Sequence, residues 1–267
     1  MIRKLKASKH YNMAQKVLKP SEVTVGNLTF SEPKKLPNGG NMVYVNNNGG
    51  PLYVQTPKVN VLWDTKFYAD NDTSGKYTIQ FSLTDFNNNP VMKSFHDMMV
   101  DLDARVIDYA LDNRKEWFGA KFSKTTRDTI ETMYTPMIKV SVDQETGEPN
   151  GKFPPRFGFK IVKRDGSHQC KVYDNNRNMF NIDNADGDDF KSLADDVLTK
   201  GAGMNVVLRC NGVWVINGKF GCTWRAEQLK VEVAEKSING YAFRDDDDDD
   251  MDVVEKPDRK STRLNSS

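Results

Sequence analysis

The sequence predicts a mainly β fold with inserted helices, an α+β chain, and three observations lead there. Short β-favouring runs separated by Pro, Gly and Asn fill the first quarter of the chain. The segment Lys76–Leu83 alternates apolar and polar residues without a break. Two Asn-Gly pairs, Asn211-Gly212 and Asn217-Gly218, separate apolar runs near the end of the folded body, and Asn-Gly is the dipeptide that two-residue hairpin turns prefer.

Residues 1–20 form a basic arm, with Arg3, Lys4, Lys6, Lys9, Lys16 and Lys19 and no acid. Short strands are expected at Val23–Phe30, Met42–Val45, Leu52–Val54 and Val59–Trp63. In Lys76–Leu83, the residues Tyr77, Ile79, Phe81 and Leu83 share one face, as a half-buried strand requires. The period then changes. Phe95, Met99, Leu102, Val106 and Ala110 recur at three- and four-residue spacing, which predicts the longest helix between Val91 and Phe118, with Ser94 and Asp97 as a weak capping box. A second helix is expected from Ser123 to Met133, stopping before Pro136, and a third from about Asp189 to Leu198. The two Asn-Gly turns predict a three-strand meander of Met204–Cys210, Val213–Ile216 and the run from Lys219 onward. Such strands with helices between them suit an antiparallel barrel of the five-stranded OB-fold kind, with helical insertions, over residues 21–244.

Charge divides the chain more sharply than its net +1 suggests. Residues 245–267 carry nine acidic residues against four basic ones, which leaves 34 basic and 28 acidic residues in the first 244, a body of net +6. The run Asp245, Asp246, Asp247, Asp248, Asp249, Asp250 has nothing apolar to bury and repels itself, so a disordered acidic C-terminal tail is expected there. A cationic body with an anionic tail points to a polyanionic partner and to a tail that competes with it or recruits other proteins. The chain is long enough to hide roughly 70% of its unfolded surface without disulfides or metals. Cys170, Cys210 and Cys222 are odd in number and widely spaced, which suits reduced thiols in an intracellular compartment. No stretch approaches the ~18 apolar residues of a membrane span, so a membrane partner is not expected.

Single-strand binding needs cations for phosphates and rings for bases. Arg156, Lys160, Lys163 and Arg164 flank Phe157 and Phe159, and Lys171 beside Tyr173, Lys219 beside Phe220 and Arg225 beside Trp224 repeat the association. With Arg209, the residues Arg156, Lys160, Lys163, Arg164, Lys171, Tyr173, Lys219, Trp224 and Arg225 are the candidate nucleic-acid contacts. Rings that alternate along a strand are more often core than surface, so Arg156, Lys160, Lys219 and Arg225, on the opposite face, are the stronger phosphate candidates. His168 with Cys170, and Cys210 with Cys222, do not have the spacing of a zinc finger or ribbon, and the Asp174–Asp189 stretch has Met179 where a calcium loop needs Gly. No metal, cofactor or catalytic residue is expected, since there is no phosphate-cradling Gly-rich loop, nucleophile elbow or His-Glu zinc motif. A virion or scaffold interaction protein whose basic body binds an acidic protein, and a metal-dependent nuclease or hydrolase using scattered carboxylates, are the alternatives.

The run Val213–Ala226, with its Asn217-Gly218-Lys219 and Gly221, Thr223 and Trp224, follows a Trp117-Phe118-Gly119 helix end and the Pro136–Pro155 region. Over roughly Leu52 to Val233 the sequence resembles the single-stranded-DNA-binding proteins assigned to nucleocytoplasmic large DNA viruses. The resemblance implies an OB-fold core and non-sequence-specific binding of single-stranded DNA, with RNA as the alternative. It also implies a role in viral replication, recombination or repair, at replication sites in the host cytoplasm or nucleus, and replication proteins as partners of the acidic tail. The last eight residues, Lys260–Ser267, look like translated sequencing-adaptor read-through and are set aside.

Overall fold

The computed structural model describes residues 16–71, 73–183, 193–194 and 197–232. All of them belong to the first of the two units into which the chain divides, Met1–Val233. The acidic tail, most of the basic arm and most of the helix expected at Asp189–Leu198 lie outside the described residues.

The fold is mainly β with few helices. Its strands are β1 (Val17–Leu18), β2 (Asn41–Val43), β3 (Tyr53–Gln55), β4 (Val59–Asn60), β5 (Lys66–Ala69), β6 (Gly75–Ser82), β7 (Tyr134–Thr135), β8 (Arg156–Arg164), β9 (Lys171–Tyr173), β10 (Gly203–Ile216) and β11 (Lys219–Val231), with shorter bridging segments. The helices are α1 (Pro90–Asp112), α2 (Arg114–Phe118) and α3 (Arg127–Met133). One sheet of fourteen strands has the main path β1-β3-β10-β11-β8-β6-β5, with β2 and β4 added on β10 and β7 and β9 added on β11. The long hairpin β10–β11 is its spine.

The alternation of Lys76–Leu83 becomes β6, with Tyr77, Ile79 and Phe81 buried, paired antiparallel to β8, whose Phe157, Phe159 and Ile161 face the same way. The helix α1 lays its stripe of Phe95, Met99, Leu102, Val106 and Ala110 on this inner face, all buried. Phe81, Phe95 and Phe157 meet there with ring centroids 5.3 to 5.7 Å apart. Each such side chain contributes roughly 1.5–3 kcal/mol through burial.

Several expectations are corrected. The helix α1 starts one turn earlier than Ser94: Asn89 is the N-cap, accepting from the Val91 and Met92 amides, with Pro90 in the first turn. A break at Asn113 separates α1 from α2, and α3 starts at Arg127 rather than Ser123. Val23–Phe30 forms a 3-10 turn at Val25–Asn27 and only the two-residue strand Thr29–Phe30. Asn217-Gly218, with φ of 51° and 71°, makes the expected turn. Asn211-Gly212 does not, because it sits inside the fourteen-residue β10 at a bulge, between Cys210 and Gly212. Gly212 has φ 107° and lies so close to the Val43 carbonyl that any Cβ would collide with it. The meander is therefore a two-strand hairpin. The five-stranded OB barrel is not what forms either: the sheet is larger and its ladders do not close. Between the β4 end and β6 the described residues provide an isolated bridge, Val61 to Phe81, and a Leu62 amide donating to the Gln80 carbonyl at 2.8 Å.

Candidate nucleic-acid interface

Side chains on directly paired residues of a sheet face the same way, so register decides which side chains share a line across it. One line crosses six strands on the face opposite the helix α1. Tyr53 of β3 pairs with Arg209 of β10, Arg209 with Arg225 of β11, Arg225 with Lys160 of β8, Lys160 with Thr78 of β6, and Thr78 with Lys66 of β5. At ~4.8 Å per strand the line is about 24 Å long. Four of its six residues are cations, and Arg209, Arg225 and Lys160 are consecutive.

Like charges directly opposite destabilise a sheet. Here one carboxylate answers two of them. Glu227 accepts from Arg225 Nε at 2.8 Å and Nη2 at 2.7 Å, and lies 3.6 Å from Arg209 Nη1. Arg209 also lies over the Tyr53 ring, 5.7 Å from its centroid. Among the described residues neither Lys160 nor Lys66 forms an ion pair. Burial, and then the charge of Lys76, hold the Lys160 ammonium below the usual lysine range, while Asp70 opposes them. An anion beside Lys160 relieves that deficit.

Next to this row lies a cleft. The strands β8 and β11 pair at a single position, Lys160 with Arg225. Towards the start of β11, β7 takes the place beside it, pairing at Phe220 and Gly221, while Lys139 exchanges backbone hydrogen bonds with Arg156 at 2.8 and 2.9 Å. The space between holds about 340 Å3. It is lined by Thr78, Gln80, Gly158 and Thr223, by the half-buried Trp214, and by the edges of the buried Phe157, Phe159 and Trp224, while Lys139, Arg156 and Lys160 add three cations; no acidic residue lines it among the described residues. The wall at Pro136–Lys139 is held from below. Asp103 of α1 accepts a hydrogen bond from the Tyr134 hydroxyl and from the Met137 amide, at 3.1 Å to Oδ2. Burial raises the Asp103 carboxyl to about 6 against those hydrogen bonds and the Lys139 charge. Burial and then the Asp103 charge push the Tyr134 hydroxyl up.

The sequence-predicted residues divide accordingly. Arg209, Arg225 and Lys160 stand in the row, and Arg156 lines the cleft. Lys171 and Tyr173 lie on β9, beside Gln228 and Lys230 of β11, further along the same face. Arg164 is exposed at the end of β8, whereas Lys163 continues the face of the buried Phe157, Phe159 and Ile161, away from the row. Lys219 donates to the Thr132 carbonyl at 2.9 Å, away from the row. Trp224 is corrected: it is only 2% exposed, its indole N–H directed at Met137 Sδ at 2.9 Å, so it belongs to the core beneath the cleft and displays no ring on the surface. Asp245 to Asp250 lie outside the described residues.

Sequence reasoning missed Lys66, Tyr53, Thr78, Gln80 and Lys139, because nothing short of register brings them to the others. It also missed the displayed rings. Tyr68, 52% exposed, shares the face of Lys66 and pairs with Lys76. Phe153, 63% exposed, stands in the excursion between Lys139 and Arg156, under the Lys152 ammonium. The run Lys66-Phe67-Tyr68 and the aromatic that follows Lys152 were the available signals. Of the cysteines, Cys210 and Cys222 approach to 3.4 Å between sulfurs. His168 is joined through Nδ1 to Asp183 at 2.8 Å. Among the described residues no three His, Cys, Asp or Glu side chains gather as metal ligands would.

No curated protein matches the sequence. Among solved structures, the single-stranded DNA-binding protein from bacteriophage Enc34 in complex with ssDNA is similar at 12% identity, covering 79% of this chain and 98% of that one with a TM-score of 0.42. The single-stranded DNA binding protein gp2.5 of bacteriophage T7 is similar at 12% identity, 79% and 100% coverage, and a TM-score of 0.39. Likenesses this distant transfer no function. A family model matches residues 80–245, more than half of the sequence, and the chain belongs to that family, a family of unknown function (DUF5871).

Proposed function

We propose that this protein binds single-stranded nucleic acid without sequence specificity, along a path that crosses its strands at right angles. The observation that carries this reading is the row Arg209–Arg225–Lys160, extended by Lys66, in which cations face one another with a single shared carboxylate. A phosphodiester backbone laid along the row supplies the missing negative charge. Tyr53 at one end and Tyr68 near the other give bases a ring to stack on, which favours unpaired strands over duplex. No helix among the described residues stands on this face to enter a major groove.

The test is a titration of the full chain with a dT12 oligomer at several salt concentrations. Four phosphate contacts on a single strand predict a slope of log K against log salt of about −3, at roughly −0.7 per contact. Tyr68→Ala is expected to cost about 1–3 kcal/mol of binding. A salt-independent affinity, or tighter binding to duplex of equal length, would sink the reading.

The resemblance of the Val213–Ala226 run supports viral DNA replication, recombination or repair as the setting, with single-stranded DNA as the natural ligand. We read the sheet as an enlarged and opened relative of the OB barrel, because the Val61–Phe81 bridge joins the end of β4 to β6 where a barrel seam would run. The run Asp245–Asp250 is assigned to competition for the same cations and to partner recruitment. A chain ending at Arg244 then binds dT12 more tightly; unchanged affinity removes the competition.

A further inference from the structure

We propose that the cleft beside Lys160 takes one unpaired nucleobase from the strand lying along the row, so that binding has a base-dependent share located there in addition to that of the surface rings. This rests on the function proposed above and adds a second kind of contact to it.

The cleft opens where the row passes, since Lys160 and Thr78 belong to both. Its volume of about 340 Å3 falls at the small end of ligand pockets, roughly 300–1,000 Å3. Trp214, half-buried, is an accessible ring of the lining, and Thr78, Gln80 and Thr223 bring hydroxyl and amide groups beside it. A ring with a few polar groups around it suits a flat heterocycle that must satisfy its edge while covering its faces. The absence of acids among the described lining residues, with Lys139 and Arg156 at the side opposite the row, keeps both flanking phosphates near positive charge. A hydrocarbon side chain would leave Gln80, Thr223 and Thr78 unsatisfied, and a free anion would gain nothing from Trp214.

Gly158 keeps the cleft open. It has no side chain beside Gln80, its partner on β6, yet a Cβ there would sit at ordinary contact, 3.4 Å from Gln80 Cγ and 3.6 Å from the Ile79 carbonyl. Gly158→Leu therefore fills the cleft without forcing the backbone and without touching any cation of the row. Gln80→Phe fills it from the neighbouring strand, should the first variant unfold.

The experiment compares the full chain and both variants for binding to dT12 and to a twelve-unit abasic phosphodiester. The wild type is expected to prefer dT12. Each filled variant loses about tenfold of that preference, while its affinity for the abasic strand stays within twofold of wild type; whatever preference remains belongs to Tyr68 and Tyr53. A preference undiminished in both variants overturns the cleft as a base site, and so does a wild type that binds the two strands equally, while the row reading stands in either case. If neither strand binds the wild type, the proposed function itself falls and this inference falls with it.

Discussion

The two faces of the pair β6–β8 hold the same residues in alternation and carry opposite tasks. On the inner face Tyr77, Ile79, Phe81, Phe157, Phe159 and Ile161 are all buried against α1 and one another. On the outer face Lys76, Thr78, Gln80, Ser82, Arg156, Gly158 and Lys160 leave charge, amide and an open cleft. The inner face is locally consistent, every contact supporting the fold. The outer face contains a conflict that the fold tolerates, cation against cation, and conflicts of that kind concentrate where a protein meets a ligand.

The contrast can be broken most strongly from the inside. Phe81→Ala removes a ring that touches Phe95, Phe157 and Phe159, and urea unfolding is expected to show a loss of about 3–5 kcal/mol. A loss under 1 kcal/mol would mean that the inner face is not packed as described. Next comes Asp103, which joins the two faces by clamping the cleft wall to α1. Its folded carboxyl titrates near 6, above the ordinary 3.8, so the folded state binds the extra proton between those values and this group's contribution declines as pH rises through that window. Across pH 4 to 7 the stability of Asp103→Asn relative to wild type should therefore rise, by about 3 kcal/mol at most. Parallel pH profiles for the two proteins would rule out the raised carboxyl.

Smaller effects separate binding from folding on the outer face. Lys160→Gln should lower the salt slope of dT12 binding by about one contact's worth while leaving the fold as stable as before, or a few tenths of a kcal/mol more stable, because a like-charge neighbour is gone. A destabilised variant with an unchanged slope would reverse that assignment. Smallest is Glu227→Gln, which frees Arg209 and Arg225. Tighter dT12 binding at low salt with slightly lower thermal stability is expected, and weaker binding would show that Glu227 positions the arginines rather than masking them.

The inner face was legible in the sequence because its rules are local. A two-residue period marks β6, a three-and-four-residue spacing marks α1, and Asn217-Gly218 marks the β10–β11 turn, each without reference to anything distant. What was missed depends on partners far along the chain. Gly212 is a glycine because the Val43 carbonyl presses on it, so Asn211-Gly212 has the composition of a turn and the geometry of a bulge. Trp224 sits beside a cation in sequence and beneath Met137 in space. The row exists only through five consecutive registers that bring Tyr53 and Lys66 into line with Arg209 and Arg225, and no window of sequence contains that alignment. The candidate list therefore found the cations of the spine and overlooked those at its edges.

The direction of the row also has a mechanical meaning. Hydrogen bonds hold each strand to its neighbours, yet β5 reaches the spine only through β6 and β8, and β3, three residues long, has only the two-residue β1 beyond it. A polymer bound from Tyr53 to Lys66 lies across all those seams at once and acts as a strap, resisting the fraying by which sheet edges open. Amide exchange in β3 and β5 would then slow on binding more than exchange in the central hairpin, and the ligand would be felt most where the protein alone is weakest.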